Sequence, residues 1–165
     1  MDEVTEWLLE GPAWVQYRTL IDILDKDEDN SEVIATRQSM LAHNQIKGLL
    51  SELTKWPGLP LQRHNDAGHL LHKLVFISDL GLKVNDPGIS QIAKRIMERQ
   101  SQDGAFQILT NISPNYGGTG KDQLVWMLCD APSILFALIK LGLGKDQKIQ
   151  AAIQHLINLS SGNGQ

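Results

Sequence analysis

Two histidines, His69 and His72, stand about one helical turn apart, and Asp66 precedes His69 by three residues on the same predicted face. Imidazole and carboxylate groups in this arrangement could bind a metal ion or act as acid and base. We favour the plainer interpretation, in which Asp66 caps the start of a helix and the histidines lie at its polar margin. This group is the first candidate site.

A second candidate is Asp130, which stands just before Ala131-Pro132. It is either a pocket carboxylate or the N-cap of a helix that a proline opens, and the sequence leaves both interpretations open. Its neighbour Cys129 is the one cysteine of the chain, so it can form neither an internal disulfide nor a Cys-x-x-Cys knuckle. In the apolar run that begins at Trp126, we predict that Cys129 is a small buried hydrophobe.

Residues 115–121 form a glycine-rich stretch that could hold a phosphate through backbone donors. It is not a Walker loop, because position 115 is not glycine, Asp122 follows the lysine where Ser or Thr is needed, and no strand is predicted before it. We predict a flexible entry loop with Tyr116 at the rim of any pocket. The acidic run at residues 25–29 is predicted to be a solvated turn.

Composition excludes several classes of function. The chain has 165 residues and a net charge of −4, and its basic residues are scattered, which argues against a nucleic-acid partner. No apolar run approaches the ~20 residues needed to cross a membrane. The acidic N-terminus does not resemble a secretory signal. We therefore expect a cytoplasmic protein.

The pattern of apolar residues predicts an all-α fold, because helical spacing recurs and strand-like alternation is absent. Each predicted stop is a glycine, a proline or a polar turn. The predicted helices are residues 5–10, 12–24, about 31–40, 46–56, 66–80, 89–100, 124–141 and 147–159.

Two parts of the chain are similar to each other. Leu80-Gly81-Leu82 returns as Leu141-Gly142-Leu143, and Asp103-Gly104 returns as Asn163-Gly164, each about 60 residues later. Between these anchors the apolar positions also correspond. We predict one domain, residues 1–165, with repeat units at residues 12–56, 66–106 and 124–165, stacked because a single helix pair cannot bury its own apolar stripe.

The run from Gln100 to Phe106, with its Asp-Gly turn and terminal aromatic residue, resembles the repeat of the terpenoid cyclase and protein prenyltransferase α/α toroids. The resemblance covers residues 66–165 and, more weakly, the N-terminal third. It implies an α/α repeat solenoid like half of an (α/α)6 toroid, with inner helices at residues 12–24, 66–80 and 124–141. Half a toroid would leave apolar faces open, so we expect a fragment, a homodimer or a capping partner.

The chemistry of these families is matched only in part. The Asp-x-Asp-Asp cluster of protonating cyclases and the Asp-Asp-x-x-Asp of ionising synthases are absent, and aromatic residues make up only 5% of the chain, too few to wall a carbocation cavity. Protein prenyltransferases hold zinc through Asp, Cys and His. Cys129, Asp130 and either His64 or His69 could supply those types, but the family spacing is not reproduced. We expect no metal and no cofactor.

We predict that the first turns of the inner helices converge on one concave surface suited to an apolar ligand with a polar end. The first functional hypothesis is a prenyltransferase-like or cyclase-like module that binds an isoprenoid-like molecule. Catalysis is not predicted, because the diagnostic acidic motifs are missing. The alternative is a non-catalytic scaffold for a peptide or partner subunit. The predicted pocket residues are Trp14, Tyr17, Arg18, Asp66, His69, Tyr116, Trp126, Cys129 and Asp130.

Overall fold

The protein, in a computed structural model that describes residues 2–162, is mainly helical. The match predicted between Asp103-Gly104 and Asn163-Gly164 lies partly outside the described residues. Internal contacts divide the chain into two compact units, Met1–Leu49 and Leu50–Gln165. The described helices and strands are α1 (Glu3–Leu9), α2 (Ala13–Asp22), α3 (Ser31–Ala42), α4 (Asn44–Leu53), α5 (Leu70–Asp79), α6 (Ile89–Met97), β1 (Ile108–Thr110), β2 (Gln123–Val125), α7 (Ala131–Leu138) and α8 (Gln147–Gly162).

The N-terminal unit is a small helical cluster in which α2 packs against α1 and α3. Asp2 caps α1 by accepting a hydrogen bond from the Thr5 amide, and Asn30 caps α3 by accepting one from the Glu32 amide. Buried apolar side chains from α2 and α3 form its core: Tyr17, Leu20, Val33 and Met40. The predicted helix pair at the start of the chain is therefore present.

The C-terminal unit is built around α5 and α7, which pack against each other, while α8 packs on α7. Its core consists of aliphatic side chains at helical spacing, including Leu74, Ile77, Ile92, Ile134 and Leu138. All of them lie on helices that the apolar pattern predicts. The mainly helical fold class is confirmed.

The two Leu-Gly-Leu turns have the same backbone geometry. Gly81 has φ = 91° and Gly142 has φ = 97°, values that favour glycine over residues with a Cβ. Each turn follows a helix of the central pair, and the Val84 amide donates a hydrogen bond to the Leu141 carbonyl at 2.8 Å. Repeated local sequence thus yields a repeated local conformation.

The Asp-Gly turn after α6 is tied to α8. The Gln100 side-chain amide donates to the carbonyls of Gly104 and Lys148, both at 2.7 Å. Gly104 has φ = 100°, and a Cβ there would lie 2.9 Å from the Ala151 carbonyl oxygen. Close approach of the turn backbone to α8 therefore requires glycine at this position.

One predicted helix is wrong in its first half. Residues 123–125 form strand β2, which pairs antiparallel with β1, and α7 begins only at Ala131. Pro132 lies in the first turn of α7, the position at which proline is tolerated in a helix. Trp126, Cys129 and Asp130 consequently lie in the turn between β2 and α7 and not on an inner helix. None of the helices within residues 2–162 has the length and apolar character needed to cross a membrane.

Candidate metal centre

Three side chains of the C-terminal unit, His64, Cys129 and Asp130, meet at one point. One potential ligand atom from each lies within 4.8 Å of the others. Asp130 Oδ1 is 3.2 Å from His64 Nδ1, and Cys129 Sγ is 3.5 Å from the same nitrogen. Asp130 is buried, whereas His64 and Cys129 are exposed. The cluster thus has one buried acidic ligand and two that solvent can reach.

A small patch of backbone pairing brings these distant residues together. The Leu61 amide donates to the Leu109 carbonyl at 2.8 Å, and the Asn111 amide donates to the Leu61 carbonyl at 3.0 Å. β1 therefore pairs with Leu61 as well as with β2. His64 follows Leu61 by three residues, and Cys129 follows β2 by four. Pairing with a common strand places both segments in the same region.

Asp130 occupies the N-cap position of α7 but does not cap it. Its backbone is in the right-handed helical region, and its side chain makes no capping hydrogen bond. Oδ1 faces His64, while Oδ2 is buried without a hydrogen-bond partner among the residues that the structure describes. An unpaired buried carboxylate oxygen is costly in a folded protein.

The geometry does not fit a Cys-His-Asp catalytic triad. In a triad the nucleophile and the acid contact opposite nitrogens of the imidazole ring, so that the ring relays a proton. Here the thiol and the carboxylate both approach Nδ1 most closely, and Nε2 is 3.9 Å from Cys129 Sγ. Groups that converge on the same side of the ring can instead share one ion.

The raised pKa of the Cys129 thiol also argues against an activated nucleophile. Partial burial and the adjacent Asp130 carboxylate raise the pKa of the Cys129 thiol above its ordinary value. An activated nucleophilic cysteine has a lowered pKa, whereas a metal ligand is deprotonated by the ion it binds. The prediction that Cys129 is buried is wrong, because the turn before α7 leaves this residue exposed.

Two of the three distances between the potential ligand atoms are close to the edges of a tetrahedral zinc site, and the third, from Cys129 Sγ to the Asp130 carboxylate, is no more than 4.8 Å. With ordinary zinc bond lengths, a nitrogen and an oxygen ligand are about 3.4 Å apart, and a sulfur and a nitrogen ligand about 3.6 Å. The corresponding distances here are 3.2 Å between His64 and Asp130 and 3.5 Å between His64 and Cys129. Thiolate and imidazole ligands favour zinc and similar transition metals over Mg²⁺ or Ca²⁺. The residues therefore fit a zinc-class ion.

His64 also lines an open cleft of about 850 Å³. One wall is the 111–120 loop with Tyr116, which is 85% exposed, and the other includes Arg63. None of the described residues that line the cleft is acidic. A solute in this cleft can therefore approach the exposed imidazole edge of the cluster.

The structure separates the remaining predicted pocket residues. His69, not Asp66, is the N-cap of α5, and Asp66 instead accepts a hydrogen bond from the Gly68 amide. The predicted helix start at Asp66 is therefore wrong. Trp126 packs edge-on against the His155 ring, with centroids 4.7 Å apart.

Trp14, Tyr17 and Arg18 belong to the N-terminal unit. Trp14 packs edge-on against His43, and Arg18 pairs with Asp22 at 2.6 Å. Tyr17 is fully buried in the core of that unit and is not a pocket residue on its surface. The meeting of these three residues with the C-terminal site stays a prediction.

Sequence reasoning considered His64 as a ligand but did not include it in the pocket. No local signal separates it from the four other histidines of the chain. The only indication was chemical, since Cys129 and Asp130 are adjacent and both suit zinc.

Comparisons with protein-family models, with characterised proteins and with solved structures find no match to this chain. The function of this chain must therefore be inferred from the site itself.

Proposed function

We propose that the C-terminal unit binds one zinc-class metal ion through His64, Cys129 and Asp130. The observation that carries the proposal is the convergence of a buried carboxylate, an imidazole and a thiol, whose potential ligand atoms all lie within 4.8 Å of one another. The thiolate and carboxylate would neutralise the charge of the ion. His64 would hold it from the solvent side.

A zinc ion with three protein ligands keeps a fourth position for water or a substrate atom, where it acts as a Lewis acid. The cleft beside His64 offers a solute access to the cluster. Asp130 would anchor the ion from the buried side, and its position at the start of α7 limits its movement. We therefore propose a metal site that takes an exogenous ligand and not a closed structural site.

The resemblance to the toroid families supports this proposal through the types of ligand, since protein prenyltransferases also use Asp, Cys and His to hold zinc. The order of the ligands along this chain differs from theirs. The corresponding proposal for the ligand is an isoprenoid-like compound that binds beside the ion. The tie between Gln100 and α8 supports the resemblance independently of the metal ligands.

A separate cleft favours the apolar-ligand hypothesis. It has a volume of about 600 Å³ and is lined in part by Leu59, Pro60 and Leu70. Leu59 is 82% exposed, an unusual state for a leucine within a concave surface. The larger cleft beside His64 is open and is lined in part by polar side chains such as Gln62 and Asn111, which favours the alternative role in binding a peptide or partner subunit.

Titration with Co²⁺ tests the metal proposal. Co²⁺ replaces zinc in such sites and gives a charge-transfer band when a thiolate binds it. We expect one Co²⁺ per chain and this band in the wild type. Cys129→Ser should lose the band. Its affinity for Co²⁺ should fall by more than the ~10–100-fold that loss of an outer partner costs, because Cys129 is a direct ligand.

Asp103→Asn is the matched control, because it removes an exposed acid on the turn after α6. It should bind Co²⁺ as the wild type does. A wild-type protein that gives no thiolate band at saturating Co²⁺ would contradict the proposal. Native mass spectrometry on the same samples reports the metal mass, any retained apolar compound and the oligomeric state.

A further inference from the structure

Two histidines near the start of α5 bond to the segment that carries His64. His69 Nε2 is 3.0 Å from the Leu59 carbonyl oxygen, and His72 Nε2 is 2.7 Å from the carbonyl oxygen of His64 itself. A carbonyl oxygen only accepts, so both ring nitrogens carry a proton and donate. The pair considered in the sequence as a metal or acid/base patch therefore joins α5 to the preceding segment.

The roles of the two histidines differ. His69 is buried, and its Nδ1 accepts a hydrogen bond from the Leu71 amide at 3.1 Å while its Nε2 donates. Both nitrogens are occupied, so this ring is neutral and serves as the N-cap of α5. Its contact with Leu59 secures the beginning of the segment, five residues before His64.

His72 acts on the metal ligand directly. Residues 62–68 are exposed, and the backbone pairing to β1 ends at Leu61. Beyond that point, the 2.7 Å bond from His72 holds the His64 carbonyl against α5. Fixing this peptide unit limits the directions in which the His64 imidazole can point, so the ring is positioned before an ion arrives.

We propose that His72 is a positioning residue of the metal site, acting through the main chain of His64. This inference rests on the proposed function, since it requires that His64 bind an ion. His72 does not touch the metal. Without it, the His64 peptide unit would be fixed only when the ion binds, and the lost conformational entropy would weaken binding.

The test compares Co²⁺ affinity in the wild type, His72→Ala and His72→Gln. The Gln side chain places an amide nitrogen near the position of Nε2 and can still donate to the His64 carbonyl. We expect His72→Ala to bind Co²⁺ about 10- to 100-fold more weakly, the range for loss of an outer partner. The thiolate band at saturation should be unchanged, and His72→Gln should recover most of the affinity.

Unfolding experiments in the presence of a chelator distinguish the positioning role of His72 from a purely structural role. The proposal expects His72→Ala to remain folded at the titration temperature and to keep the same metal stoichiometry. Equal Co²⁺ affinity in the wild type and His72→Ala would overturn the positioning role. So would a His72→Gln variant as weak as His72→Ala. Failure of the wild type to bind Co²⁺ would instead overturn the proposed function.

Discussion

At the residue scale, Asp130 stands at the N-cap position of α7 without making the capping hydrogen bond. As the residue before α7 it has the side chain of a good N-cap, and a cap bond contributes about 0.5–2 kcal/mol to stability. It makes no such bond, and one of its oxygens is buried without a partner among the described residues. A residue that lowers the stability of the fold in this way is typical of a binding site.

The raised pKa of the Cys129 thiol predicts how metal binding depends on pH. Burial and the Asp130 charge favour the neutral thiol in the metal-free protein, so an ion must displace its proton. Affinity for Zn²⁺ or Co²⁺ should therefore rise with pH, by about tenfold per unit for one displaced proton, until the thiol ionises unaided. Competition titrations between pH 6.5 and 8.5 measure this slope.

The control is Cys129→Ser, whose residual binding should lose the part of the slope due to the thiol. A wild-type affinity that does not change with pH would show that Cys129 is not a ligand. The sequence analysis considered Cys129 and Asp130 as zinc ligands because adjacency is visible along the chain, but it expected no metal. It did not show that Cys129 is exposed, since exposure depends on where α7 begins.

At the element scale, the turn at Gln100–Gly104 shows how a local signature becomes a tertiary contact. The Gln100 amide bonds within its own turn and to α8, so one side chain joins two elements. The chemistry of this turn was predictable because glutamine donors and a glycine with positive φ are local properties. The contact with Lys148 was not predicted, because it depends on where α8 packs.

Substitution of Gly104 tests this packing. Gly104→Ala should destabilise the protein by about 1–2 kcal/mol for the left-handed backbone and by about 1–3 kcal/mol more for the close contact with Ala151. Gly117→Ala is the matched control, because Gly117 has φ = 80° but no atom within 4 Å of the added Cβ. It should show only the backbone effect.

Urea unfolding followed by circular dichroism, in the presence of a chelator, gives both free energies of unfolding. Equal losses for the two variants would show that the turn does not pack closely on α8. The same comparison separates backbone strain from packing, which the sequence alone cannot do.

The predicted helix over residues 124–141 failed for a non-local reason. The apolar run has helical character, but residues 123–125 pair with β1, and hydrogen bonding between strands overrides a short local preference. Pro132 correctly indicated the true helix start, because proline is favoured in the first turn. The second half of the prediction therefore matches α7.

At the scale of the whole molecule, metal binding should stabilise the fold. An ion that binds only the folded state at 100 times its Kd adds about 2.7 kcal/mol to the free energy of unfolding. We expect Zn²⁺ at that excess to raise the urea midpoint of the unfolding transition that involves the C-terminal unit. A chelator should reverse this increase. Circular dichroism at helical wavelengths measures it.

Cys129→Ser should show much less stabilisation by Zn²⁺ at the same concentration, while the Asp103→Asn control should respond as the wild type does. Equal stabilisation of the wild type and Cys129→Ser would place the ion elsewhere.

The expectations of a homodimer or capping partner and of an isoprenoid-like ligand also belong to this scale. Exposed apolar side chains in both units, Trp7 and Leu128 among them, are consistent with such contacts.

The sequence by itself determined the mainly helical fold and the glycine turns, because these follow from local spacing and backbone preference. Only the tertiary structure decided that His64 meets Cys129 and Asp130. Their proximity depends on β1 pairing with Leu61 and with β2, and backbone hydrogen bonds between such distant segments leave almost no trace in side-chain identity. For that reason the ligand types were recognisable in the sequence and the site was not.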